Sequence, residues 1–385
     1  MMRRLSTTLR VQRTLCIAFL AALGLTISCD RDCPTQPPPP PPPVDNGTNF
    51  YVLYRNAALN DDSIAIFVFN TNLMMAVDSF MLYAGATNYR KIAVSTDEKF
   101  LMIASSATSG GVVHIIDIDT RQEINMLTGR DMELKVSRNG KYTVAESWLE
   151  NIVLDSTLLD TVVIDTVGSW GGAWDSTGNI FYGLQLRPSG TVIRRFDVEA
   201  DSALPEIAVI DPVYGIGYVA RLQTTANPDK VFLYIYYGQN SGRVVSYNLA
   251  DSSIVFSYWI GSQNTYLAIT PDWKTILFTD PENFDNWVVE RSVYFVNAET
   301  DQLETIVPPP PPANGTVYGP EEMILNPSKI AVSSDGKFAM TDGPESRRGV
   351  GLISLTERKY VAFLWPDTLY VYAGEPVGVA CKVRR

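Results

Sequence analysis

From residue 49 onward, apolar and polar side chains alternate in short runs, broken by Gly, Pro, Asn, Asp and Ser. A two-residue period places apolar groups on one face of a strand, and turn formers at each break send the chain back. Helical periodicity is almost absent. The pattern predicts an all-β body. Residues 91–129, KIAVSTDEKFLMIASSATSGGVVHIIDIDTRQEINMLTG, carry it most clearly as four short strands.

Two kinds of break recur. A polar turn between the first two strands of each unit reads Ser95-Thr-Asp-Glu-Lys99, Ser137-Arg-Asn-Gly-Lys141, Asp175-Ser-Thr-Gly-Asn179, Thr270-Pro-Asp-Trp-Lys274 and Ser333-Ser-Asp-Gly-Lys337, with Asn227-Pro-Asp-Lys230 as a degenerate copy. Asp or Asn beside Gly tolerates the turn backbone, and the leading Ser or Thr bonds to it. The last residues of these copies, 99, 141, 179, 230, 274 and 337, are spaced by 42, 38, 51, 44 and 63. A second turn, leading into the fourth strand, recurs at Asn70-Thr-Asn, Asp119-Thr-Arg, Glu199-Ala-Asp, Asn248-Leu-Ala-Asp, Asn297-Ala-Glu-Thr and Leu355-Thr-Glu-Arg. Four strands in a repeat of about 40–50 residues is the signature of a β-propeller. The long last interval holds a second proline run, 308–312, and residues 313–328, which read as an inserted loop.

The units number seven. Residues 49–84 supply only three strands, FYVLYRN, SIAIFVFN and MAVDSFMLY, and lack an inner one. The segment Pro376-Val-Gly-Val-Ala-Cys381 has the pattern of Lys91-Ile-Ala-Val-Ser95. A C-terminal strand completing the first blade would close the ring and remove exposed sheet edges. The expected architecture is a seven-bladed β-propeller of four-stranded antiparallel blades over residues 49–385.

Composition supports this reading. Of 385 residues 46% are hydrophobic, enough for a large core, and 19 Tyr, 15 Phe and 7 Trp favour strands. Net charge is −11, which repels phosphate backbones and argues against nucleic-acid partners. A single histidine, His114, excludes multi-histidine metal centres within the chain. No Cys-x-x-Cys pair is present, so thiol-redox and haem-attachment motifs are missing.

The N-terminus differs from the rest. Arg3, Arg4, Arg10 and Arg13 precede a 13-residue apolar run, 15–27, which is shorter than the roughly 20 residues that span a bilayer. Charged then apolar is the layout of an export signal. The run ends in Thr26-Ile27-Ser28-Cys29 and resembles a bacterial lipoprotein signal. That resemblance implies a signal peptide over 1–28, lipidation of Cys29, and a protein held at the cell envelope through a membrane-inserted lipid. The alternative is ordinary secretion with cleavage near Ser28. Residues 29–48 form a linker whose seven consecutive prolines, 37–43, favour an extended polyproline spacer of about 20 Å. Cys33 and Cys381 either pair or remain thiols.

KIAVSTDEKFLMIASS followed by GGVVHIIDIDTRQEI, and KIAVSSDGKFAMT followed by GVGLISLTERKYVAF, resemble YVTN-type propeller repeats. Such repeats occur in bacterial surface proteins and in lactonase-like and quinoprotein-dehydrogenase-subunit-like propellers. Units at 131–168 and 213–262 match them poorly. WD40-like repeats are the nearest alternative, but no Trp-Asp pair ends a third strand. The resemblance implies a fold rather than a reaction.

Strand order puts both short-turn classes on one face and the second-to-third and inter-blade loops on the other. The long loops, above all 280–291 and 307–328, make the second face the expected working face. Tyr89, Arg90, Arg130, Asp131, Trp170, Tyr214, Tyr266 and Glu375 fall just before inner strands and are candidate ligand-binding residues around the channel mouth; the plainer alternative is blade packing and solvated charge. Asp280, Glu282 and Asp285 are candidate oxygen ligands for calcium, against the alternative of a solvated acidic loop. No other cofactor is indicated. His114 sits within a strand and reads as structural, and no residue set stands out as catalytic. Three functions compete: a non-catalytic propeller binding a protein, small molecule or glycan on the long-loop face; a lactonase-like or sugar-acting hydrolase with a carboxylate-held metal; and a structural surface or adhesion protein.

Overall fold

In a computed structural model the chain divides into Met1–Asp45 and Asn46–Arg385. The structure describes residues 47–55, 63–83, 89–105, 111–129, 133–147, 150–158, 160–165, 168–209, 218–238, 241–260, 265–280, 292–308, 329–342, 349–364 and 376–381. Cys29, Cys33, both proline-rich centres and most of the long loops, including 281–291 and 309–328, lie outside these residues.

The described residues form seven four-stranded antiparallel sheets and no helix. This is the expected all-β, seven-bladed propeller. Blade 1 is built from both ends of the body: Pro376–Cys381 pairs with Asn49–Arg55, followed by Ser63–Asn70 and Met75–Tyr83. The other six blades are continuous in sequence and run from the inner strand outward. Their inner strands are Tyr89–Val94, Glu133–Val136, Trp170–Trp174, Tyr218–Thr224, Leu267–Ile269 and Ile330–Val332. Each inner strand approaches the next around the ring, and Pro376–Cys381 sits between the first and the last of the six. The two weakly matching units, at 131–168 and 213–262, still form complete blades.

The repeated polar turn has one wiring. Ser95 Oγ donates to Asp97 Oδ1 at 2.7 Å and accepts from Phe100 N at 2.9 Å. Ser137 repeats this with Asn139 and Tyr142, Thr270 with Asp272 and Thr275, and Ser333 with Asp335 and Phe338. Three residues past the leading one, the backbone turns left-handed: Glu98, Gly140, Gly178, Trp273 and Gly336 have φ of 58°, 70°, 74°, 63° and 72°. Glycine relieves the steric cost there in three blades. Turns into the fourth strand also place one residue at positive φ in every blade, at Met74, Arg121, Leu158, Asp201, Ser252, Asp301 and Arg358. Leu158 marks the blade 3 copy, which has no clear sequence signature.

Among the described residues the core is seven apolar clusters, one at each blade interface. Alternation along each strand supplies one apolar set to each neighbouring blade, which is why the middle strands read as nearly continuous hydrophobic runs. Aromatic pairs fill the larger gaps; Phe278 and Tyr294 stack at 4.7 Å between centroids. Cys381 is buried in the cluster between blades 7 and 1. The cluster between blades 3 and 4 is small, and buried Glu146, Asn151 and Ser169 lie alongside it.

Candidate functional site

The position four residues before each leading turn residue begins the channel wall on the long-loop face. With Thr225, whose Oγ1 accepts from Asn227 N at 3.2 Å, leading the blade 5 turn, this position in blades 2 to 7 holds Lys91, Glu133, Gly171, Arg221, Tyr266 and Lys329. Shared register puts these six at one level of the ring. Their chemistry is not repeated, although their place is.

Glu133 of blade 3 is the centre. Its Oε1 lies 3.3 Å from Lys91 Nζ of blade 2 and 3.2 Å from Arg221 Nη2 of blade 5, and its Oε2 lies 3.6 Å from Lys135 Nζ. Burial works against the charge of Glu133, but Arg221, Lys91 and Lys135 hold its carboxyl well below the usual carboxylate range. Arg221 also lies over the Tyr266 ring at 4.7 Å and donates to its hydroxyl at 3.3 Å. Burial tends to raise the Tyr266 phenol, yet Arg221, Lys329 and Lys91 outweigh it and hold the phenol below its ordinary value.

Arg221 reaches from blade 5 to blade 3 because blade 4 presents Gly171 between them. A Cβ there would lie 2.4 Å from Ala220 O, and its φ of +59° also favours glycine. The next residue, Gly172, donates its N–H to both carboxylate oxygens of Glu146 at 3.1 Å. Ser169 Oγ is 3.0 Å from Glu146 Oε1. Glu146 is 1% exposed. Burial first, and then the neighbouring Glu133 charge, push its carboxyl up to about 7.

Lys91, Glu133, Lys135, Tyr266 and Lys329 line a recess of about 160 Å³ at this mouth. It shares Ile92, Leu134, Lys135, Leu267, Ile330 and Val379 with a longer cavity of about 280 Å³ along the channel. At the short-turn end of that cavity, Arg138 of blade 3 donates to Pro271 O at 2.7 Å and Thr270 O at 3.1 Å in blade 6. Its guanidinium lies 4.0 Å from the Trp273 ring centroid. Blades 3 and 6 are three apart in a ring of seven, so the side chain crosses the channel.

Of the residues expected at the mouth, Tyr266 is there. Trp170 is 7% exposed; its Nε1 donates to Val219 O at 3.0 Å and its ring stacks on Tyr218 at 5.4 Å, between blades 4 and 5. Tyr89 and Arg90 open the inner strand of blade 2, with side chains outside the described residues. Arg130, Asp131, Tyr214, Glu375, Glu282 and Asp285 lie outside them altogether. Asp280 is 7% exposed and follows the second strand of blade 6. Among the described residues no group of three or more His, Cys, Asp or Glu is placed to hold a metal ion. His114 Nδ1 bonds to Glu123 within blade 2, away from the channel.

The ionic residues missed in the sequence are Lys91, Glu133, Lys135, Glu146, Arg221 and Lys329. A signal for four of them was present: a charged residue at the same offset from the turn in otherwise apolar inner strands.

The fold and this channel define a seven-bladed β-propeller. No protein-family model matches the chain, and no curated protein matches it in sequence. Solved structures do resemble it. Hydrazine synthase from Kuenenia stuttgartiensis is 15% identical with a TM-score of 0.59, over 77% of this chain and 90% of that one. A functionally unknown protein from Desulfotomaculum acetoxidans is 13% identical with a TM-score of 0.57, over 88% of this chain and all of the other (100%). TolB from Acinetobacter baumannii is 11% identical with a TM-score of 0.51, over 88% and 68%. At these identities the likeness shows the fold alone.

Proposed function

We propose that the protein is a non-catalytic recognition propeller of the bacterial cell envelope, tethered through lipidated Cys29 and the proline-rich linker, that takes a ligand at the long-loop mouth of its channel. The observation that carries this is the convergence of Lys91, Glu133, Arg221, Tyr266 and Lys329 at one level around a recess of about 160 Å³. A concave site with a few convergent polar groups on a rigid scaffold is the usual form of a small-ligand site. The cations and Glu133 hold one another in place, an arrangement suited to fixed recognition.

The test is a thermal-shift panel of neutral oligosaccharides, short peptides, aromatic metabolites and small organic acids. A hit should lose its shift in Lys135→Gln and Lys329→Gln and keep it in Lys337→Gln on the opposite face. A hit indifferent to both mouth substitutions, or one that is chemically converted, overturns the reading. For the tether, Cys29→Ser should release the protein from membranes; continued membrane partitioning rules out the lipid anchor.

A further inference from the structure

The recess and the cavity behind it differ in chemistry. Of the charged groups lining the recess, three are cations, Lys91, Lys135 and Lys329, and one is the carboxylate of Glu133. Arg221 stands behind Glu133 and adds positive charge to the same end. Among the described residues, buried carboxylates behind the wall are Glu146, held by Gly172 N and Ser169, Asp342, whose Oδ1 accepts from Lys329 N at 2.7 Å, and Asp280, beside the Thr279 that pairs with Tyr266. Among the described residues that line the recess, cations outnumber carboxylates three to one, in a chain of net charge −11. Field lines focus in a concave, low-dielectric site, so such an excess attracts anions.

The channel behind the mouth changes character within one strand length. Apolar side chains of its wall include Ile92, Leu134, Val136, Ile269 and Val332, with Lys135 and Gln223 as polar members short of the exit. Two residues before each turn, the wall position is Ala93, Ala173, Ala268 and Ala331 in four blades, so space opens there. The far end is crossed by Arg138. The molecule thus holds a cationic mouth, an apolar shaft and a strapped exit, in that order along one axis.

We infer that the ligand is a small amphipathic organic carboxylate, its head among Lys91, Lys135 and Lys329 and its short apolar tail in the channel. The inference rests on the recognition reading above and narrows it to a ligand class. A lysine ammonium and a carboxylate form strong charge-assisted hydrogen bonds. The cavity of about 280 Å³ lies just under the roughly 300–1,000 Å³ common for ligand pockets, which limits the tail to a short one.

The experiment is isothermal titration calorimetry of the purified full-length protein with sodium acetate, butyrate, hexanoate and octanoate, and with hexanol as a neutral match. Affinity should tighten about fourfold per added methylene until the shaft is filled. Hexanol should bind at least about tenfold more weakly than hexanoate. The Lys135→Gln/Lys329→Gln double variant should lose that preference, with its fold checked by circular dichroism. Ala268→Gln should flatten the dependence on chain length; this position already accepts Lys135 and Gln223 in blades 3 and 5. Equal affinity for hexanol and hexanoate overturns the anionic head, and equal affinity for acetate and octanoate overturns the apolar tail. No binding of any acid overturns the whole inference. If a neutral compound from the thermal-shift panel still binds and is lost in the mouth variants, recognition at the mouth survives; if none does, both fall.

Discussion

The two mouths of the channel are built from the same repeat and have opposite chemistry. At the short-turn mouth, one cation, Arg138, is spent on carbonyls and an aromatic ring of the opposite blade. At the long-loop mouth, cations outnumber carboxylates among the described residues that line the recess. The first mouth uses residues within the turn, where backbone geometry constrains sequence. The second uses the start of the inner strand, where the strand needs only an extended backbone and the side chain is free to vary. Framework lies where the repeat is strict, and individuality lies at the other end of the same strands.

Removing a cation from the long-loop mouth should do the most damage. Arg221→Met leaves Glu133 buried without its strongest partner and should cost about 3–5 kcal/mol in denaturant unfolding. A loss below about 1 kcal/mol would mean the cluster does not hold that end together.

A pH effect sharpens the contrast, since the short-turn mouth has no counterpart of Glu146 among the described residues. This carboxyl is a weaker acid folded, at about 7, than at its usual 4.5. Between those values the folded state keeps a proton that the unfolded chain gives up, so stability falls as pH rises through the window and the loss is complete above it. Unfolding midpoints from pH 4.5 to 7 should therefore decline more steeply for the wild type than for Glu146→Gln. Equal slopes would show that Glu146 titrates normally.

At the opposite mouth, Arg138→Ala removes two charge-assisted bonds and a cation–π contact and should cost about 2 kcal/mol. A smaller effect tests what Trp273 gains from its neighbour. Trp273 sits at φ 63°, a strain of about 1 kcal/mol that glycine would relieve. Trp273→Gly should be nearly neutral in the wild type and stabilising by about 1 kcal/mol in Arg138→Ala; a stabilisation of equal size in both backgrounds would show that the stack contributes nothing. Smallest of all, disrupting the exposed Arg121–Asp78 pair on the rim should leave the melting temperature unchanged within error.

Much of the architecture was legible because the repeat is written in local chemistry. Ser95, Ser137, Thr270 and Ser333 each close their own turn with a residue two positions on. Blade 3 and blade 5 match the repeat poorly, yet their neighbours' apolar faces require them to complete the ring. The site was legible only in part. Tyr266 was visible as an aromatic before an inner strand, and so was Trp170, but one residue of register separates them in role: Tyr266 shares its offset with Gly171, and Trp170 precedes it and turns into a blade interface. The charged residues at that offset looked like ordinary strand-end polarity when each strand was read singly.

The sequence by itself determined the strand count, the turn chemistry, the seven-fold repeat and the closure of blade 1 by Pro376–Cys381, because all of these follow from local periodicity and backbone preference. Only the tertiary structure decided that Glu133 meets Arg221 from two blades away, over the gap left by Gly171, and that Arg138 spans to Thr270 and Pro271. Ring closure brings side chains together across an axis that no single repeat contains, and electrostatic interaction depends on that distance, not on separation along the chain.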